Sequence, residues 1–142
     1  MKFIKSLLVF MAVLSTSINC IAQKYFTKTG DISFFSSTPI EDIEANSHTA
    51  TTVLDMESGK IQWAVLIKSF EFEKALMQEH FNENYMESAK FPKSTFKGSF
   101  TVPEALKSME DGTYELDVNG ELSVHGVKKP VATKATLKVD NG

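Results

Sequence analysis

Three histidines, His48, His80 and His125, are the side chains of this 142-residue chain best suited to proton transfer or metal ligation near neutral pH. They fall on different segments. Only His80 and Glu83, three apart, have a spacing that would bring two ligands together on one helical face. His80 itself borders apolar positions, where it reads as a polar lip on a pocket or as a satisfied core histidine. Carboxylates gather at Glu41, Asp42 and Glu44, and again at Glu71 and Glu73. Acid–base work by such a pair needs one member raised in an apolar site, and here the flanking residues read as a solvated face. Neither a G-x-S-x-G elbow nor a G-x-x-x-x-G-K-[ST] loop occurs. An enzyme built on His80 with Glu79 or Glu83 would need those groups to converge in a cleft. The expectation is no catalytic residue, no metal site and no cofactor.

What the sequence does concentrate is apolar surface. Phe70, Phe72, Met77, Phe81, Tyr85, Met86 and Phe91 are followed by Phe96 and Phe100. Phe72, Leu76 and His80 recur every four residues, as do Met77, Phe81 and Tyr85, which places them in adjacent stripes on a helix with Glu73, Lys74, Gln78, Glu79 and Glu83 facing water. Pro92 lacks an N–H and restricts Phe91, so the helix must stop before it. On pattern alone this helix either plugs a core or forms the lid of an apolar cavity, for which flexible Met77 and Met86 are suited.

The elements that must position these residues have period two. Ile32 and Phe34 begin the pattern. His48 to Met56, a turn at Gly59, and Ile61 to Phe70 read as a hairpin, with Ile61, Trp63, Val65 and Ile67 on the stronger candidate for an inner face. Strand spacing returns with Phe96, Gly98, Phe100 and Val102. Tyr114, Leu116 and Val118 lead to Asn119-Gly120, a two-residue turn signal, with Leu122 and Val124 beyond it. A last strand runs from Val131 to Val139. About seven short strands with one helical insert predict an all-β antiparallel barrel or sandwich.

The first residues stand apart. Lys2 and Lys5 precede an uncharged run from Leu7 to Leu14 and a small, polar stretch ending at Ala22, the layout of a secretory signal peptide over 1–22. Its apolar run is shorter than the roughly 20 residues that span a bilayer, so no transmembrane segment is expected. Cys20 offers a competing reading as a lipidated tether, but Asn19 before it is bulkier than such sites prefer. Cleavage after Ala22 leaves residues 23–142 as one domain without cysteine, periplasmic or secreted. It also makes the formal charge more negative than −3, which argues against a nucleic-acid partner. Lys128, Lys129, Lys134 and Lys138 read as a solvated strand face. The closing Asp140-Asn141-Gly142 is a turn signal without a second arm, so the domain is expected to be incomplete at its C-terminal end.

The run "FEFEKALMQEHFNENYMESAKFPKSTFKGSF", Phe70 to Phe100, resembles the YceI-like family of secreted and periplasmic lipid-binding proteins. So does "GELSVHGVKKPV", Gly120 to Val131, which is similar to that family's G-x-L-x-x-x-G-V-x-[KR]-P-V signature. The upstream strands are similar to its compact variants. The resemblance implies a lipocalin-like antiparallel β-barrel of about eight strands with a short helical insert at the mouth. It also implies an elongated apolar pocket for a polyisoprenoid or similar long lipid, and no catalytic residue. Carried over by position, Phe72, Leu76, Phe81, Tyr85 and Phe91 become lid residues, with Met77 and His80 beside them. Trp63, Val65, Ile67, Phe96 and Phe100 become wall residues. A one-residue slip of register would exchange every wall residue for its neighbour. Many members carry an Arg-Asp pair and a Phe-Phe pair before the proline. This chain has "QEHFNENYME" there, so head-group recognition by those residues does not carry over, and His80, Lys90 and Lys93 are the available substitutes. The alternative function is a non-catalytic interaction module whose barrel is filled by its own side chains.

Overall fold

The computed structural model describes residues 23–37, 39 and 42–141. The signal-peptide expectation and Cys20 therefore lie outside the described residues. Among the described residues seven strands form one antiparallel sheet: β1 (Lys24–Ser37), β2 (Asp42–Asp55), β3 (Lys60–Leu66), β4 (Glu71–Phe72), β5 (Lys93–Ser99), β6 (Gly112–Val124) and β7 (Val127–Val139). Their spatial order is β1-β2-β3-β5-β6-β7, with the two-residue β4 set beside β2. The sheet curls into an open half-barrel of the lipocalin-like kind, in which β1 and β7 are the edges.

Curling follows from local sequence. The β1–β2 ladder shifts register on both sides of Gly30, and such bulges bend a strand and increase its twist. Opposite, Gly98 of β5 pairs with Gly120 of β6. A Cβ on Gly120 would stand 2.5 Å from the Lys97 carbonyl oxygen and 2.6 Å from the Phe96 ring, so two glycines let that ring lie flat over the sheet.

This packing overrides the turn signal at Asn119-Gly120. Both residues continue β6, Asn119 opposite Ala132 and Gly120 opposite Val131. The chain reverses instead at His125-Gly126, whose φ angles of 50° and 73° supply the left-handed pair that a tight hairpin requires. The strands also begin earlier than the alternation indicates: β1 starts at Lys24 and β2 at Asp42, because backbone pairing extends through polar residues that carry no hydrophobic period.

The concave face is the apolar one. On β3, Val65 is buried and Ile61 and Trp63 are half-buried, while Gln62 and Leu66 face water. Two clusters fill this face. The upper one joins Ala45, Ala50, Val65 and Phe70 to Ile32, Phe34, Phe72 and Phe81. The lower one joins Met56, Phe96, Phe100, Leu106, Leu116, Val118 and Val139. Trp63 packs against both.

The half-barrel is closed at its lower end by α2 (Glu104–Lys107), a four-residue helix that follows Pro103. Pro103 is extended and so fits the position before a helix start, and the turn places Leu106 with 0% exposure in the lower cluster. At the upper rim, where β3 ends and β5 begins, the chain makes an excursion from Ile67 to Pro92 that contains β4 and α1 (Ala75–His80). A hydrogen bond from the Ile67 N–H to the Pro92 carbonyl, 2.9 Å, closes the base of that excursion.

Candidate functional site

Of the residues expected as walls, Trp63, Val65, Phe96 and Phe100 belong to the two apolar clusters of the concave face, and Ile67 is buried outside them. Val65 and Ile67 are 2% and 1% exposed, Phe96 and Phe100 are buried, and Trp63 is half-buried. The paired strands β3 and β5 put Trp63 directly opposite Phe96, and their rings stack at 6.1 Å with 21° between planes. Ile67 lies just past the end of β3, in a 3-10 turn over Ile67–Ser69, and Phe100 one residue past β5, where its N–H bonds the Gly59 carbonyl.

The residues expected in a lid divide. Phe81 reaches inward, stacked on Phe34 at 5.3 Å and in edge or tilted contact with Phe70 at 5.9 Å and Phe72 at 4.9 Å. Phe34 meets Phe70 and Phe72 edge-on as well, so the four rings form one connected cork around Phe34 and Phe81. Phe72 belongs to β4 and is held opposite Ala45 of β2. Met77 is half-buried beside it.

Leu76 and Tyr85, in contrast, are 63% and 69% exposed, and His80 is exposed too. Phe72 lies on β4, ahead of α1, so the expected stripe of Phe72, Leu76 and His80 does not form, and after His80 the helix passes into a π-helical turn, Phe81–Tyr85, in which the Met86 N–H bonds the Phe81 carbonyl. A π turn is wider than 3.6 residues, so the four-residue spacing of Met77, Phe81 and Tyr85 does not keep them on one face. Phe91 is half-buried farther along the rim, against His125.

No charged side chain is buried among the described residues; the buried polar ones are Ser47, Ser88 and Ser94. Ser47 is satisfied by Ser69 at 2.7 Å, and Ser69 in turn donates to the Leu66 carbonyl. The concave face can therefore make apolar contacts and a few hydroxyl contacts, but it presents no buried acid or base.

The histidines serve separate ends. His48 pairs with Asp31 on the exposed side of the β1–β2 ladder at 2.6 Å, and that hydrogen bond and charge hold its pKa above the ordinary 6.5. His125 pairs with Glu87 at the upper rim. Glu79, His80 and Glu83 are all solvent-exposed. Among the described residues no three His, Cys, Asp or Glu side chains group as a metal site would need.

Two openings flank the corked interior. An apolar cleft of about 280 Å³ at the lower end is lined by Tyr25, Leu54, Met56, Met109, Leu137 and Val139, with Lys138 and Asp140 at its rim. A groove of about 470 Å³ beside β4 has Phe35, Ile43, Phe72 and Met77 among several carboxylates. Sequence reasoning missed Leu106, Met109 and Tyr25. A four-residue helix has no readable period, and Tyr25 and Met109 meet across the sheet, Oη to Sδ 3.8 Å, only after folding.

Residues 23–142 match the model of the YceI-like domain. The chain belongs to the YceI-like domain family. A UPF0312 protein of Pseudomonas fluorescens is 32% identical over 82 residues, 57% of this chain, and the chain spans 40% of that relative's length. A polyisoprenoid-binding domain from Saccharophagus degradans, implicated in plant cell wall breakdown, superposes with a TM-score of 0.66 at 13% identity. The match covers 82% of this chain and 68% of that one, and it supports the fold. A Campylobacter jejuni YceI protein matches with a TM-score of 0.44 at 14% identity, over 78% of this chain and 53% of its own.

Proposed function

We propose that this YceI-like domain is an exported, non-catalytic binding protein that holds a long apolar lipid, of the polyisoprenoid kind, against the concave face of its sheet. The observation that carries the reading is a continuous apolar face from the Phe81 cork, past Trp63, to Leu106, without a buried charge among the described residues. An apolar chain laid on such a face gains about 25 cal/mol for each Å² of surface removed from water, so few polar contacts are needed. Val65, Ile67, Trp63, Phe96 and Phe100 form the wall in this reading. Phe72, Met77 and Phe81 form the inner side of the lid, with Phe91 at its β6–β7 end and Leu76, His80 and Tyr85 on its outer side.

The Saccharophagus degradans domain, whose fold this chain resembles, is named for polyisoprenoid binding, which favours that ligand class. No described helix is long and apolar enough to cross a membrane. Export rests on the leader-like residues 1–22.

A second reading has its own observation: the four-ring cork fills the upper end with the protein's own side chains, as in an interaction module. Native mass spectrometry of the freshly purified protein, before and after incubation with a polyprenol, separates the two. A stable one-to-one adduct that organic extraction removes is the expected result. A spectrum of bare protein under both conditions would sink lipid binding and leave the filled half-barrel.

A further inference from the structure

The excursion from Ile67 to Pro92 is fastened at two sides of the rim by different means. On the β2 side the fastening is backbone pairing, Phe72 opposite Ala45 and Glu71 opposite Asn46. On the far side it is made by side chains, where the turn 87–91 meets the β6–β7 reversal. The imidazole of His125 donates from Nε2 to Glu87 Oε2 at 2.8 Å, and the same ring stands edge-on to Phe91, with centroids 4.6 Å apart. Lys90 lies over the Phe91 ring at 4.9 Å. Phe91 also rests on Gly126, where a Cβ would come within 2.6 Å of its ring.

Both polar partners stand on backbone of the same uncommon kind. Glu87 has φ 43° and His125 has φ 50°, a left-handed conformation that non-glycine residues seldom adopt and that surroundings must stabilise. The turn that presents Glu87 is itself closed by hydrogen bonds from the Lys90 and Phe91 N–H groups to the Glu87 carbonyl, 2.8 and 2.9 Å. An isolated half-exposed ion pair contributes little. Here, however, the pair, the ring contact and the glycine seat act at one point.

We propose that His125, Glu87 and Phe91 form a releasable latch that fastens the strap 67–92 over the concave face. Release at this point would leave the strap held by the two-residue β4 ladder, by the Phe81 cork and by the Ile67–Pro92 backbone hydrogen bond at its base, with the π-helical turn between the cork and the latch. The strap would then swing from the β6–β7 side, and Phe81 would withdraw from Phe34, Phe70 and Phe72. That the swing admits a lipid rests on the function proposed above; the latch itself does not.

Hydrogen–deuterium exchange of the ligand-free protein reads the latch directly. His125→Asn keeps a residue that tolerates the left-handed turn and removes the ring. It should speed exchange of amides 81–91 about tenfold, the effect of losing one charge-assisted hydrogen bond, and leave β2–β3 amides unchanged. Glu87→Ala should do the same, Glu87→Gln should restore most of the protection, and His125→Asn with Glu87→Ala should be no faster than either alone. Unchanged strap exchange in His125→Asn, or acceleration spread equally through β2 and β3, would overturn the latch. Uptake of a fluorescent polyprenol by the same proteins tests the consequence. If the wild type takes up none, the lipid reading fails while the exchange result still decides the latch.

Discussion

His48 and Asp31 illustrate how much of this molecule's charge is spent outside its apolar face. The Asp31 carboxylate accepts a 2.6 Å hydrogen bond from His48 and attracts its positive form, with Glu71 adding to the attraction. The protonated form is therefore favoured in the folded state. The stabilisation is complete below the unfolded pKa and is lost as pH rises through the higher folded value. Following the imidazole by NMR should place the His48 midpoint above 6.5, and Asp31→Asn should bring it back down. A midpoint indifferent to Asp31→Asn would remove the carboxylate as the cause. Asp55, bonded by the N–H groups of Ser58 and Glu57, is shifted the opposite way and holds the β2–β3 turn as a carboxylate.

At the scale of elements, what alternation could reveal was the strand faces. Ile61, Trp63 and Val65 on one side are half-buried or buried and Gln62 and Leu66 on the other are exposed, as period two requires, whereas Ala64, expected with the second set, is half-buried, and Ile67 and Lys68 lie past the strand in a 3-10 turn. The helix between Phe72 and Pro92 was legible from its four-residue spacing, but its π turn was not. The turn begins at Phe81, the residue that meets three other rings, and no spacing in the sequence marks it. Asn119-Gly120 misled for a related reason: its glycine serves the Phe96 ring across the sheet rather than a turn. The four-residue helix α2 was invisible, yet it supplies one of the most enclosed side chains. Leu106→Ala should cost about 2–5 kcal/mol, as cavity-forming truncations do, read as a lower midpoint in urea. A loss well under 1 kcal/mol would mean that the lower end collapses readily around the gap.

The whole molecule is a curled sheet whose two edges behave differently. β7 carries Lys128, Lys129, Pro130, Lys134 and Lys138, all exposed, and Lys128 pairs with Glu121 of β6. Charge and proline on an edge discourage pairing with another chain. β1 instead exposes Phe26, Phe35 and Tyr25. The family resemblance supplied the curvature, since spacing alone left barrel and sandwich equal, and the candidate site was legible as a set of apolar residues but not as a corked one. The central claim is that the concave face receives an apolar lipid beside Trp63, the chain's single tryptophan, which packs against both clusters and on Phe96. Titration of the protein with a polyprenol, followed by Trp63 emission, tests that claim most directly. A saturable shift or quench of the emission is the predicted result; an emission spectrum that does not move up to the solubility limit of the polyprenol would contradict it.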